Sequence, residues 1–172
     1  MKHQKVIIID GPDCTGKTTL AAKLSKEHGI PFVHLGYKKD FDEFCQQFSD
    51  VVERVENGES FIVDRFILSN IIYAIIFQNG KTVPFVEKCI NVLRNPVVHC
   101  VLALPADIDK WYDRFKRTQT ERDELYTDEE KMKTVYHAYK VIGRVIGIPM
   151  EVYDLEKNLE NKEKTLDRDE EQ

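Results

Sequence analysis

The feature that most constrains this chain is GPDCTGKT at residues 11–18, placed directly behind the apolar run Val6, Ile7, Ile8 and Ile9. Its spacing is G-x-x-x-x-G-K-[ST], in which backbone N–H groups wrap a polyphosphate, the lysine reaches the β- and γ-phosphates and the hydroxyl ligates Mg²⁺. Average composition would produce that pattern by chance in roughly one chain of this length in two hundred. It carries meaning only between a strand and a helix, and both are expected here. Residues 5–10 (KVIIID) read as a doubly buried parallel strand, and residues 18–28 place Leu20, Ala21 and Leu24 at helical spacing. The nucleotide-contacting candidates are therefore Gly11, Pro12, Asp13, Cys14, Thr15, Gly16, Lys17, Thr18 and Thr19.

Beyond this unit, apolar runs and helical periodicity alternate. Strands are expected at 31–35, 60–64, 97–104 and 149–153. Helices are expected at 41–55 (closed by Asn57-Gly58), 69–78, 84–93, from an Asp107 cap to about 116, and from a Thr127/Glu130 capping box to 145. Such alternation predicts a three-layer α/β/α fold around a five-stranded parallel sheet, with ligands at the carboxyl ends of the strands. A chain of 172 residues suits one such domain, taken as 1–155. Residues 156–172 hold seven acids, four bases and only Leu159 and Leu166 as apolar residues, which reads as a frayed helix or disordered tail.

A net charge of −5 argues against stable nucleic-acid binding, which needs many phosphate-neutralising cations. Cys14, Cys45, Cys89 and Cys100 are scattered without C-x-x-C pairing, so the expectation is reduced thiols and no cysteine metal site. Three read as core filler and Cys14 as an inert loop residue. The start of the chain lacks an apolar leader pattern and no apolar run reaches membrane-spanning length, giving the expectation of a cytoplasmic protein.

The strand FIVD ends in Asp64, where a carboxylate can help hold Mg²⁺ beside the loop, and Arg65 follows at once. An arginine there would face the phosphates from the opposite side, and its planar fork suits bidentate phosphate binding. With these residues the chain resembles the thymidylate kinases, within the P-loop nucleoside monophosphate kinases. The resemblance spans roughly residues 6–153 and rests on GPDCTGKTT, DRFILSNIIYA, VLALPADIDKWYDRFKRT and the basic run Arg114, Lys116, Arg117 and Arg122. It implies that Asp13 works near the transferring phosphate and acceptor sugar. Arg65 would hold the acceptor phosphate, Asn70 the pyrimidine edge, and Tyr73 the sugar face. A lid at about 114–126 is implied as well.

Some relatives carry an arginine immediately after the loop acid; here that position is Cys14, so Arg117 and Arg122 become the candidates to meet the charge of the transferring group. The family's Arg-Glu-Pro signature is replaced by HLGYKKD at 34–40, and the Gln that commonly follows the tyrosine is Ala74. These departures read as a divergent member, with a viral origin one option. Tyr37, Phe41, Phe44 and Phe66 are aromatic candidates for stacking on a base, against the commoner role of core packing; His34 and His99 read as packing residues.

The expectation is thus an ATP- and Mg²⁺-dependent kinase that phosphorylates dTMP or a related pyrimidine deoxynucleotide, a homodimer if it follows its relatives. Two alternatives stand beside it: a deoxynucleoside kinase or a kinase acting on a modified base in DNA, and a non-catalytic nucleotide-binding module. A guanine-reading N-K-x-D is not supplied by Asn161-Lys162-Glu163-Lys164.

Overall fold

Alternating apolar runs and amphipathic segments become one sheet with helices on both faces. The structure is a computed structural model describing residues 4–78, 80–118 and 128–158. In chain order the elements are β1 (Val6–Asp10), α1 (Lys17–His28), β2 (Phe32–His34), α2 (Phe41–Glu56), β3 (Phe61–Asp64), α3 (Ile67–Phe77), α4 (Val86–Leu93), β4 (Val98–Ala103), α5 (Ile108–Thr118), α6 (Glu129–Ile146) and β5 (Glu151–Tyr153). The sheet order is β2-β3-β1-β4-β5, and every pairing is parallel. The expected three-layer α/β/α architecture is present.

The two layers are unequal. Ile7, Ile9, Ile62, Val101 and Ala103 point to one face, where α1 covers them with Leu20, Ala21 and Leu24. Val6, Ile8, Phe61, Val63, Cys100 and Leu102 point to the other, against side chains from α2 to α6. Alternate residues of a strand face opposite ways, so continuous apolar runs such as VIII are required in a sheet packed on both sides. Helix α2 shows how the thicker layer is held: Phe48, Val51, Val52 and Val55 are buried on one stripe, each contributing up to roughly 1.5–3 kcal/mol of apolar burial.

Several expected boundaries move. Helix α3 starts at Ile67 rather than 69, because an acid from another strand caps it. Helix α4 starts at Val86 rather than at Pro84. Asp107 does cap α5, accepting the Asp109 and Lys110 N–H groups at 3.0 Å. Helix α6 is capped by Asp128, whose carboxylate accepts the Lys131 N–H at 3.1 Å; Thr127 lies outside the described residues. After β5 a helical turn forms at 155–158. Its Glu156 pairs with Arg114 at 3.2 Å, and the Leu155 side chain lies against Gly16.

Neither histidine expected to pack in a strand does so. His34 lies on β2, an edge of the sheet, and keeps its side chain half open to solvent while pairing with Asp64; His99 lies in β4 ahead of the stretch that β5 pairs, and its half-open side chain meets Glu151 of β5.

Candidate functional site

The loop between β1 and α1 lies at the carboxyl end of the central strand. Gly11 has φ +147°, and a Cβ there would strike the Ala103 carbonyl of β4. Only glycine lets the chain turn so close to its neighbour. Cys14 takes a left-handed conformation at φ 60°. Gly16 precedes α1 at φ 78° with no side chain capping the helix, so the first N–H groups of α1 are directed toward the loop, the arrangement that binds anions. The Thr15 hydroxyl donates to the Pro12 carbonyl at 2.9 Å and braces the turn.

Helix α5 holds this loop from outside. The Trp111 indole N–H donates to the Asp13 carbonyl at 2.7 Å, and the Arg114 Nε–H donates to the Cys14 carbonyl at 2.8 Å. The helix expected to lead into the lid is thereby tied to the phosphate loop. Burial pushes the Cys14 thiol above its ordinary range.

Asp10, the last residue of β1, is a buried carboxylate that sequence reasoning did not single out. One oxygen accepts the Phe66 N–H at 3.1 Å and the Ser69 N–H at 3.3 Å. The other accepts the Gly11 N–H at 3.1 Å and the Ser69 hydroxyl, which also meets the Tyr139 hydroxyl at 2.7 Å. Phe66 provides no side-chain cap for α3; Asp10 supplies it from β1. Burial raises the Asp10 pKa, opposed by Ser69 and the Lys17 charge.

The cap fixes the junction that presents Arg65. Its N–H bonds the Ile9 carbonyl at 2.9 Å, and its φ of 73° is strained for a residue with a side chain. The guanidinium turns toward the loop and pairs with Asp13, whose second oxygen accepts the Tyr73 hydroxyl at 3.1 Å. Burial works to raise the Asp13 pKa, but Arg65, Lys17 and Tyr73 outweigh it and hold the carboxyl below its usual range. Burial also opposes charge on Arg65, yet Asp13 holds it firmly protonated. Arg65 Nε is buried and has no partner among the described residues.

Lys17 is only 4 % exposed, and its ammonium donates to the Pro12 carbonyl. Burial and the neighbouring Arg65 lower its pKa from 10.5 to about 8, against the pull of Asp13, Asp64 and Asp10. Two cations thus converge on one small region.

Thr18 and Asp64 meet where expected, the hydroxyl donating to Asp64 Oδ2 at 2.5 Å. Asp64 is 0 % exposed, and its Oδ1 has no partner among the described residues. A hydroxyl and a carboxylate with one free oxygen fit Mg²⁺, which takes few protein ligands and completes its shell with phosphate oxygens and water. No cluster of three or more His, Cys, Asp or Glu side chains forms among the described residues.

The remaining candidates are placed differently. Tyr37 is 79 % exposed. The Asn70 side-chain carbonyl accepts the Val83 N–H at 3.2 Å, so that half of its amide holds the loop after α3. Arg117 is exposed and donates to the Asp113 carbonyl of its own helix at 3.2 Å; Arg122 lies outside the described residues. Phe66 is fully buried, in a ladder with Phe48 and Phe44, which settles core packing over base stacking for it. Phe41 stacks on Phe44 and carries the Lys81 ammonium 4.3 Å above its ring.

No protein-family profile matches the chain. The SPbeta prophage-derived protein YorR of Bacillus subtilis (strain 168) is 35 % identical over 82 residues, 43 % of this chain and 45 % of that protein, so this match spans less than half of the relative. The crystal structure of YorR, in complex with phosphorylated GDP, superposes with a TM-score of 0.65 at 25 % identity, covering 87 % of this chain and 85 % of YorR. The deoxyadenosine kinase of M. mycoides, with dCMP and dCDP bound, gives 0.58 at 20 % identity, covering 93 % and 99 %. The thymidylate kinase of Candida albicans gives 0.57 at 15 %, covering 89 % and 84 %. The fold is that of the P-loop nucleoside and nucleotide kinases. No helix among the described residues is long and apolar enough to cross a membrane.

Proposed function

We propose that this protein transfers the γ-phosphoryl group of Mg·ATP to the 5′-phosphate of a deoxynucleoside monophosphate, dTMP or a related pyrimidine nucleotide. The observation that carries the reading is the Arg65 guanidinium turned inward against the loop acid Asp13, beside buried Lys17. Two anionic substrates repel, so a site that joins them must supply cations between them. Lys17, the loop amides and the N-terminus of α1 serve the donor; Arg65 serves the acceptor. Thr18 and Asp64 would hold Mg²⁺, which when bound neutralises charge on the β- and γ-phosphates. Tyr73 and Asp13 border the acceptor sugar, and Arg117 of α5 together with Arg122, which lies outside the described residues, would meet the charge of the transferring group.

A second reading, a deoxynucleoside kinase, is favoured by the same Asp13–Arg65 pair. An arginine neutralised by a carboxylate is less available to a phosphate, and that carboxylate is placed to take the proton of a 5′-hydroxyl. The match to the M. mycoides deoxyadenosine kinase over nearly its whole length supports it. The phosphorylated GDP bound to YorR extends the acceptors to be tried to purines. The test is ADP release from ATP against a panel of deoxynucleosides and their monophosphates. The first reading expects stimulation by a monophosphate, the second by a nucleoside, and stimulation by neither removes both.

A further inference from the structure

Asp64 is served unevenly. Oδ2 accepts two hydrogen bonds, from the Thr18 hydroxyl at 2.5 Å and from His34 Nδ1 at 2.8 Å, whereas buried Oδ1 has none among the described residues. Resting on the Mg·nucleotide reading of the site, we propose that His34 is a positioning residue that locks the Asp64 carboxylate so that Oδ1 stays presented to the bound cation.

The sheet register puts the two residues abreast, His34 of β2 paired with Asp64 of β3. Because β2 is the sheet edge, the imidazole has room to lie over the flank of the carboxylate, and it remains 44 % exposed while Asp64 is sealed. An ionised carboxylate only accepts, so Nδ1 carries the hydrogen. A carboxylate held by one donor still rotates about its Cβ–Cγ bond; two donors on the same oxygen fix that torsion and with it the aim of the other oxygen. Leaving a buried carboxylate oxygen without a donor is costly, and a ligand at Oδ1 offsets that cost. Partners that orient a metal-binding carboxylate commonly change metal affinity about 10–100-fold when removed.

The experiment compares the full chain with His34→Ala, His34→Asn and His34→Gln. The readout is Mn²⁺ affinity of the protein·ADP complex by electron paramagnetic resonance, which requires neither an acceptor nor turnover. Asn puts its amide N–H where His has Nδ1, and Gln does not. The expected result is metal affinity weakened about 10–100-fold in the Ala and Gln variants and near wild type in Asn, with ADP affinity in EDTA equal in all four proteins. Wild-type affinity in the Gln variant, or equal loss in Asn and Gln, overturns the proposal, and the Asn–Gln comparison decides it if the Ala variant does not fold. If the wild-type protein forms no metal·nucleotide complex, the Mg·nucleotide reading itself fails and the proposal falls with it.

Discussion

Replacing Lys17 by Met should stabilise the nucleotide-free protein while abolishing phosphoryl transfer. The ammonium is buried beside Arg65, and its pKa falls from 10.5 in the unfolded chain to about 8 in the folded one. Below pH 8 the lysine is charged in both states, and the folded state bears the cost, roughly 3 kcal/mol for that displacement. Between about pH 8 and 10.5 the unfolded chain binds more protons than the folded one. Stability of the wild-type protein then rises with pH, and the advantage of the Met variant shrinks by about 1.4 kcal/mol per pH unit. Denaturant unfolding of both proteins at pH 7.0 and pH 9.5, without nucleotide, measures the effect. The expected gains are roughly 3 and 1.4 kcal/mol. A Met variant less stable than wild type at pH 7, or a gain that does not change with pH, refutes the reasoning. It would mean that the Asp13, Asp64 and Asp10 charges already compensate the buried ammonium.

Two further substitutions probe the scaffold of the site. Gly11→Ala places a methyl group against the Ala103 carbonyl at a φ only glycine adopts freely; overpacking and backbone strain together should destabilise by about 3 kcal/mol or more in thermal unfolding, and a near-neutral result would contradict the loop geometry. Asp10→Ala removes the cap of α3 and strips the Phe66 and Ser69 N–H groups of their acceptor. The loss expected in denaturant unfolding is about 1–3 kcal/mol for each orphaned donor, and steady-state kinetics should show acceptor KM rising more than ATP KM because Arg65 is released. Equal changes in both KM values would sever Asp10 from Arg65.

The phosphate loop was legible because it is local: eight consecutive residues specify the turn, the lysine and the hydroxyl. The sheet was legible because doubly buried strands such as VIIID show as unbroken apolar runs. What escaped depends on distant partners. The early start of α3 follows from Asp10, 57 positions before Ile67, and no pattern around Ile67 announces it. His34 reads as packing from the sequence because periodicity does not show that β2 is an edge strand. Phe66 reads from the sequence as available to a base, yet it is sealed in the core with its ring against Phe48 of α2. Trp111 and Arg114 hold the loop through its carbonyls, a role that residue type alone does not announce.

Arg65 is proposed to receive a second anion opposite Lys17. The most direct measurement is the affinity of the wild-type and Arg65→Met proteins, each loaded with Mg·ADP, for dTMP and for thymidine by calorimetry. Wild type is expected to prefer the monophosphate and Arg65→Met to lose roughly 10- to 150-fold in dTMP affinity, the equivalent of a charge-assisted bond of about 1.5–3 kcal/mol, with thymidine affinity unchanged. Equal binding of the two ligands by wild type, or a preference that survives in Arg65→Met, would contradict it.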